Sequence, residues 1–278
     1  MMRFGGPILK PYSNPEEWLN LVRQMGYTAV YFPVDHKAPA DLIDTYVRLA
    51  RENNLALPEV GSWSNPLSSN RKTAEEAFLV CCSQLDLAER IGAACCVNIS
   101  GSRGDIWDGP HENNFTADTF ALIVDNVRRI IDAVKPRHAC YTLELMPWMY
   151  PDCADTYLDL IKAIDRKQFA VHLDPVNIIC SPRAFFTNGA IIQECFEKLG
   201  PWIRSCHAKD IRIENNLTTH LNEAVPGQGS LDYATFVSCV NRLPGDVALM
   251  MEHMSKHEEA QQGAAYIRQI AAKMNISL

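Results

Sequence analysis

Eight short apolar, β-prone runs recur along the chain, at residues 4–9, 29–32, 55–60, 94–100, 140–145, 169–173, 203–208 and 247–251. Each is followed by a segment with helical periodicity: Pro15 to Gly26, then 39–53, 72–91, 117–134, 153–164, 183–199, 231–242 and 258–274. This alternation constrains the chain more than any other feature, because strands separated by helices pair in parallel. Eight such units predict an α/β fold, a single (β/α)8 TIM barrel over residues 1–278. A doubly wound open sheet needs no eightfold count and usually opens with a glycine-rich first turn, which is missing. The first helix carries clear end signals. Asn14 can cap it, Pro15 sits at its first position, Glu16 and Glu17 meet its dipole, and Gly26 stops it.

Loop lengths choose the working face. Links from helix to strand are short, such as Gly26-Tyr27-Thr28 and Gly92-Ala93, whereas the strand-to-helix links at 61–71, 101–116 and 211–230 are long. Long loops carry function, and in such barrels the site lies at the C-terminal ends of the strands. Charge narrows the partners. The 26 Lys and Arg against 33 Asp and Glu give a net charge of −7, and no basic run forms a phosphodiester-binding patch, so nucleic acid is excluded as a partner. The ten cysteines lie mostly in apolar segments without a CxxC pair, and there is neither a signal peptide nor a membrane-length apolar run. Reduced thiols, a soluble cytoplasmic protein and no membrane partner are expected.

The run 169–173 is apolar enough to be buried on both faces, yet Asp174 and Pro175 follow it directly. A carboxylate at the end of a buried strand must be paired, hydrogen-bonded or metal-bound. Taking the last inward residue of each strand gives Glu59, Asn98, Glu144, Asp174, His207 and Glu252. Glu144, Asp174, His207 and Glu252 are metal-ligand types on consecutive strands. A lone Glu or His is more often a buried hydrogen-bond partner, but three carboxylates converging in a low-dielectric mouth need a counter-charge. One divalent cation supplies it. A set of one imidazole and three carboxylates suits Mn2+, the expected ion, with Mg2+, Co2+ or Zn2+ as alternatives. His172 lies one inward layer below Asp174, where orientation of a ligand or simple packing is expected rather than ligation.

Five fragments together resemble the xylose-isomerase-like TIM barrels, in their sugar (phosphate) isomerase/epimerase branch. They are Leu143-Glu144, His172-Leu173-Asp174-Pro175-Val176-Asn177, Cys206-His207-Ala208-Lys209-Asp210, Pro226-Gly227-Gln228-Gly229 and Met251-Glu252-His253. The resemblance implies that Glu144, Asp174, His207 and Glu252 bind one divalent metal and that Glu144 and Glu252 also act as acid and base. Two positions depart from the branch: Asn177 stands where ketose epimerases often have His, and Gln228 where an Arg often stands. Both positions touch substrate in that branch, so an uncharged or oxidised sugar derivative is expected rather than a free ketohexose. For a phosphate, Arg103 and Lys209 are the nearby basic candidates.

The expected reaction is epimerisation or isomerisation of a keto-sugar, by glutamate-mediated proton transfer through a metal-bound enediolate. The alternative is β-elimination from a keto-inositol or 3-oxo-glycoside. An apurinic-type endonuclease would need further histidines where the chain offers Glu59 and Asn98, and a non-catalytic sugar-binding barrel would not keep both glutamates. Glu59, Trp63, Asn98, Asn177, Lys209 and Gln228 are the expected substrate contacts. Lys209 and Asp210 either grip substrate or pair with each other. His220 and Glu223 are lid candidates, and His111 and His253 are given no role. A homo-oligomer is left open.

Overall fold

The computed structural model describes residues 2–278. The first half runs β1 (Arg3–Gly6), α1 (Pro15–Met25), β2 (Ala29–Val30), α2 (Ala40–Glu52), β3 (Glu59–Gly61), α3 (Arg71–Ile91), β4 (Cys95–Asn98) and α4 (Ala117–Val134). The second runs β5 (Cys140–Glu144), α5 (Ala154–Ile164), β6 (Phe169–Leu173), α6 (Pro182–Phe186), α7 (Asn188–Leu199) and β7 (Ile203–Ala208). It ends with β8 (Asp210–Glu214), β9 (His220–Ala224), α8 (Tyr233–Asn241), β10 (Ala248–Met251) and α9 (His257–Lys273). Eight strands form one parallel sheet in the order β2-β1-β10-β7-β6-β5-β4-β3. Its two ends meet through a bridge between Ala29 and Ala56, where Val30 N donates to Ala56 O and Ala56 N to Thr28 O, both at 3.0 Å. The curled sheet with its surrounding helices is thus the expected (β/α)8 barrel.

The seam is thin for a local reason. The expected strand at 55–60 shrinks to Glu59–Gly61 plus that bridge, because Pro58 has no N–H to give to a ladder. The expected helix at 183–199 also breaks, at Thr187 (φ −124°). Buried Asn188 satisfies the break, donating to Phe185 O at 2.7 Å and Ser230 O at 3.0 Å. Helix α1 forms as its sequence dictates. Asn14 accepts from Glu17 N, Gly26 ends the helix at φ 63°, and Trp18, Leu19, Val22 and Met25 turn one stripe into the core.

Side-chain parity along the strands builds the barrel interior in layers. Ala29, Ala248 and Met250 pack on one side and Cys95, Cys140 and Ala170 on the other. Two residues further along these strands come Thr142, His172 and Glu252, so the interior turns polar toward the C-terminal ends. All ten cysteines are unpaired thiols. Among the described residues no helix is long and apolar enough to cross a membrane.

The segment 211–230, read from sequence as a loop, contains an antiparallel hairpin of β8 and β9, in register from Asp210 opposite Ala224 to Glu214 opposite His220. Buried Asp210 anchors its base. Its carboxylate accepts from the backbone N–H groups of Ile211 (2.8 Å), Gly227 (2.9 Å), Gly229 (3.0 Å) and Leu231 (2.8 Å). Hydrogen bonds to a charged acceptor contribute about 1.5–3 kcal/mol each, and an amide lacks the charge and one acceptor oxygen. Asp210→Asn is therefore expected to lower unfolding stability by about 2 kcal/mol in urea titration, with faster amide exchange confined to the 226–231 turn.

Candidate metal centre

Four strand ends deliver the candidate ligands. Glu144 ends β5, Asp174 follows β6, His207 lies in β7 one residue before its end, and Glu252 follows β10. One donor atom from each lies within 4.8 Å of all the others. His207 Nδ1 is 2.8 Å from Glu252 Oε2 and 3.4 Å from Glu144 Oε1. Asp174 is held by its own turn, Oδ1 accepting from Val176 N at 2.8 Å. Asn177 donates to Glu144 Oε1 at 3.0 Å.

A fixed cation sits beside this ring. Lys209 Nζ, on a side chain only 2% exposed, lies 2.9 Å from Asp174 Oδ2, 2.7 Å from Glu252 Oε1 and 2.7 Å from Glu223 Oε1. Of the two alternatives left open for Lys209, pairing with Asp210 does not occur. Burial would lower the Lys209 ammonium, but Asp174, Glu252, Glu144 and Glu223 outweigh it and hold it well above its ordinary value. Glu252 is kept ionised: burial opposes its charge, and His207 and Lys209 overcome that and push it well below the usual carboxylate range. Asp174 goes the other way. Burial raises it well above that range, Lys209 offsets only part, and the Glu252 and Glu144 charges add to the rise.

The ring is therefore short of positive charge, and the shortage falls on Asp174. Asp174 Oδ2, Glu252 Oε1 and His207 Nδ1 also lack a directed hydrogen bond, since Lys209 meets the two oxygens as an ion pair without hydrogen-bond geometry. Three carboxylates, one imidazole nitrogen and orphaned donor atoms turned to a common point fit a divalent cation with ligand bonds of about 2.1 Å.

Behind His207 lies a second buried carboxylate. Glu59 Oε1 accepts from His207 Nε2 at 2.8 Å, and Ser205 Oγ donates to Glu59 Oε2. Burial would raise Glu59, but His207 and His172 dominate and hold it low, so it accepts as a carboxylate. This fixes the Nε2–H on His207 and turns Nδ1 to the ring. His172 packs edge-on against His207 at 4.0 Å between centroids, and its pKa is lowered by burial and by the His207 charge. Glu59 thus holds His207 in place from the cavity floor. Glu59→Gln should weaken Mn2+ binding 10–100-fold in a chelator-competition titration while leaving the circular dichroism spectrum unchanged.

A cavity of about 980 Å3 opens above the ring. Trp63, Asn177, Lys209 and Glu59 line it. Asn98 does not. It pairs in register with Leu143 while Val97 pairs with Thr142, so it faces the helices, where it bonds Ser64, Ile99 and Tyr141. Gln228 is exposed and donates to Gln262 at 3.4 Å, away from the cavity. Arg103 donates to Leu67 O, which leaves Lys209 as the basic candidate from sequence that reaches the site.

Sequence reasoning missed His253. Its Nδ1 is 2.7 Å from Glu223 Oε2 and its Nε2 3.6 Å from Glu252 Oε2, so it joins the hairpin to the ring. Burial opposes the Glu223 charge, but His253 and Lys209 overcome it and bring Glu223 down to about 2. Tyr31, Trp107 and Trp148 also line the cavity and were missed. Trp107 stands in the long loop 101–116, whose path the sequence does not show, and Trp148 in the shorter loop between β5 and α5.

No curated protein sequence matches the chain. Among solved structures, a probable 3-DHS dehydratase, AsbF, from Bacillus anthracis is 15% identical with a TM-score of 0.74, covering 98% of this chain and 99% of its own. D-psicose 3-epimerase from Clostridium cellulolyticum, solved with D-tagatose, is 12% identical with a TM-score of 0.71 over 99% and 100%. A xylose isomerase-like TIM barrel protein from Mycobacterium smegmatis in complex with magnesium is 16% identical with a TM-score of 0.67 over 94% and 90%. At these identities the likeness is one of fold. Residues 19–270 match the model of one family, and the chain accordingly belongs to the xylose isomerase-like TIM barrels.

Proposed function

We propose that the chain is a metal-dependent epimerase or isomerase of a keto-sugar or oxidised sugar derivative. The observation that carries this reading is the pair Glu144 and Glu252. Both belong to one ligand ring and both line the cavity, yet they arrive from β5 and β10, which stand three places apart in the sheet. Two carboxylates around one reacting carbon can pass its proton out and back on different sides.

Glu144, Asp174, His207 and Glu252 would hold the ion, Mn2+ in our reading. When bound, a divalent ion supplies Lewis acidity toward a carbonyl and its neighbouring hydroxyl, which acidifies the C–H between them. One glutamate takes that proton: the C–H bond breaks, a carboxyl O–H forms, and the electron pair moves toward the carbonyl oxygen. The other returns a proton to the opposite face, giving epimerisation, or a proton goes to the adjacent carbon while the hydroxyl proton shifts to the former carbonyl oxygen, giving isomerisation. Asn177 keeps Glu144 oriented, and Lys209 keeps Glu252 in its carboxylate form.

The test is a panel of keto-sugars and 3-keto-glucosides in deuterated water with Mn2+-loaded protein. Deuterium entering at a carbon next to the carbonyl, with a clean stereoisomer formed, supports the reading. An enone or a released aglycone instead would assign a lyase, and no exchange on any substrate would count against proton transfer here.

A further inference from the structure

The ring accounts for the cavity floor but not for the wall above it. Trp63, Trp107 and Trp148 come from the loops after β3, β4 and β5, line the cavity, and are 47%, 38% and 38% exposed. The wall is built rather than loose. Trp148 Nε1 donates to Asp108 O at 2.6 Å, and Ser102 N donates to Trp107 O at 2.9 Å. Fully buried Asn114 ties the two loops together, donating to Gly109 O at 3.1 Å and Trp148 O at 3.0 Å while accepting from Arg103 N at 2.9 Å. A buried asparagine that joins the two loops carrying these tryptophans at a cavity mouth presents preorganised aromatic surface.

The lining's charges and size restrict what this surface meets. Lys209, His207 and His253 are its basic residues, and each is already ion-paired with a carboxylate. A phosphate would find no free cation there. The volume, about 980 Å3, is at the upper end of the roughly 300–1,000 Å3 range of pockets for drug-sized ligands. A lone monosaccharide ring on the floor would leave the tryptophan wall in water.

Resting on the proposed sugar chemistry, we propose that the substrate is a glycoside, its keto-sugar ring on the acidic floor and an uncharged planar aromatic aglycone against Trp107 and Trp148. Aromatic pairing contributes beyond buried area, enough for about tenfold in affinity.

Titration of Mn2+-loaded protein with phenyl, methyl and octyl β-D-glucosides and with glucose 6-phosphate, followed by calorimetry, tests this directly. Phenyl glucoside should bind about tenfold tighter than methyl, and Trp107→Ala and Trp148→Ala should each bring the phenyl-to-methyl ratio toward one. Equal affinity for phenyl and methyl, tighter binding of octyl than phenyl, or strongest binding of the phosphate would overturn the proposal. So would an unchanged ratio in the variants. Because Trp148 also braces a loop, Trp107→Ala carries the test if Trp148→Ala melts early. Binding reads the aglycone and deuterium exchange reads proton transfer, so either reading can fail alone.

Discussion

Replacing Glu252 with glutamine should lower kcat by about 10²–10⁴-fold at saturating metal, with KM changed only a few-fold. The amide keeps the shape of the side chain and one oxygen donor, but it cannot take or return a proton. Glu252 is held in its charged form beside Lys209 Nζ at 2.7 Å. Kept unprotonated, it has the free oxygen that proton abstraction requires. Glu144→Gln should behave alike, since Glu144 reaches the same point from β5 with Asn177 fixing one oxygen. A variant that retains wild-type kcat would remove that glutamate from the acid/base pair.

The second large effect is expected at Lys209. Its ammonium is the fixed positive charge among Asp174, Glu252 and Glu223, with 2% of the side chain exposed. Breaking a buried ion pair by removing one partner leaves uncompensated charge and costs about 3–5 kcal/mol. Lys209→Met, similar in bulk, should therefore lower Tm by roughly 10 °C or more in differential scanning calorimetry. Added Mn2+ should recover part of that loss, because an ion that binds only the folded state stabilises it. A Tm unchanged by the substitution would contradict the role of these ion pairs in stability.

The fold and the ring were legible for the same reason. Parity along a buried strand places every second side chain inside, so Glu144, His172 with Asp174, His207 and Glu252 could be read from the strands that carry them. At Asn98 the apparent inward phase misleads, because Cys95 and Val97 hold the inward phase of β4. Contacts made by long side chains across elements have no such periodicity. Nothing local says that Lys209 turns to Asp174 instead of Asp210, that Glu59 reaches His207 from β3, or that Glu223 clasps His253. The hairpin carried a local signal, the alternation of Ile211 and Ile213 with Asp210, Arg212 and Glu214, which the length of the segment obscured.

Calorimetric titration with Mn2+ of the wild-type chain and of Asp174→Asn addresses the metal centre most directly. Four side chains converging on one point predict a single ion per chain in the wild type and its loss, or at least a hundredfold weakening, in Asp174→Asn. No binding to the wild type, or equal binding to both, would contradict a metal centre at Glu144, Asp174, His207 and Glu252.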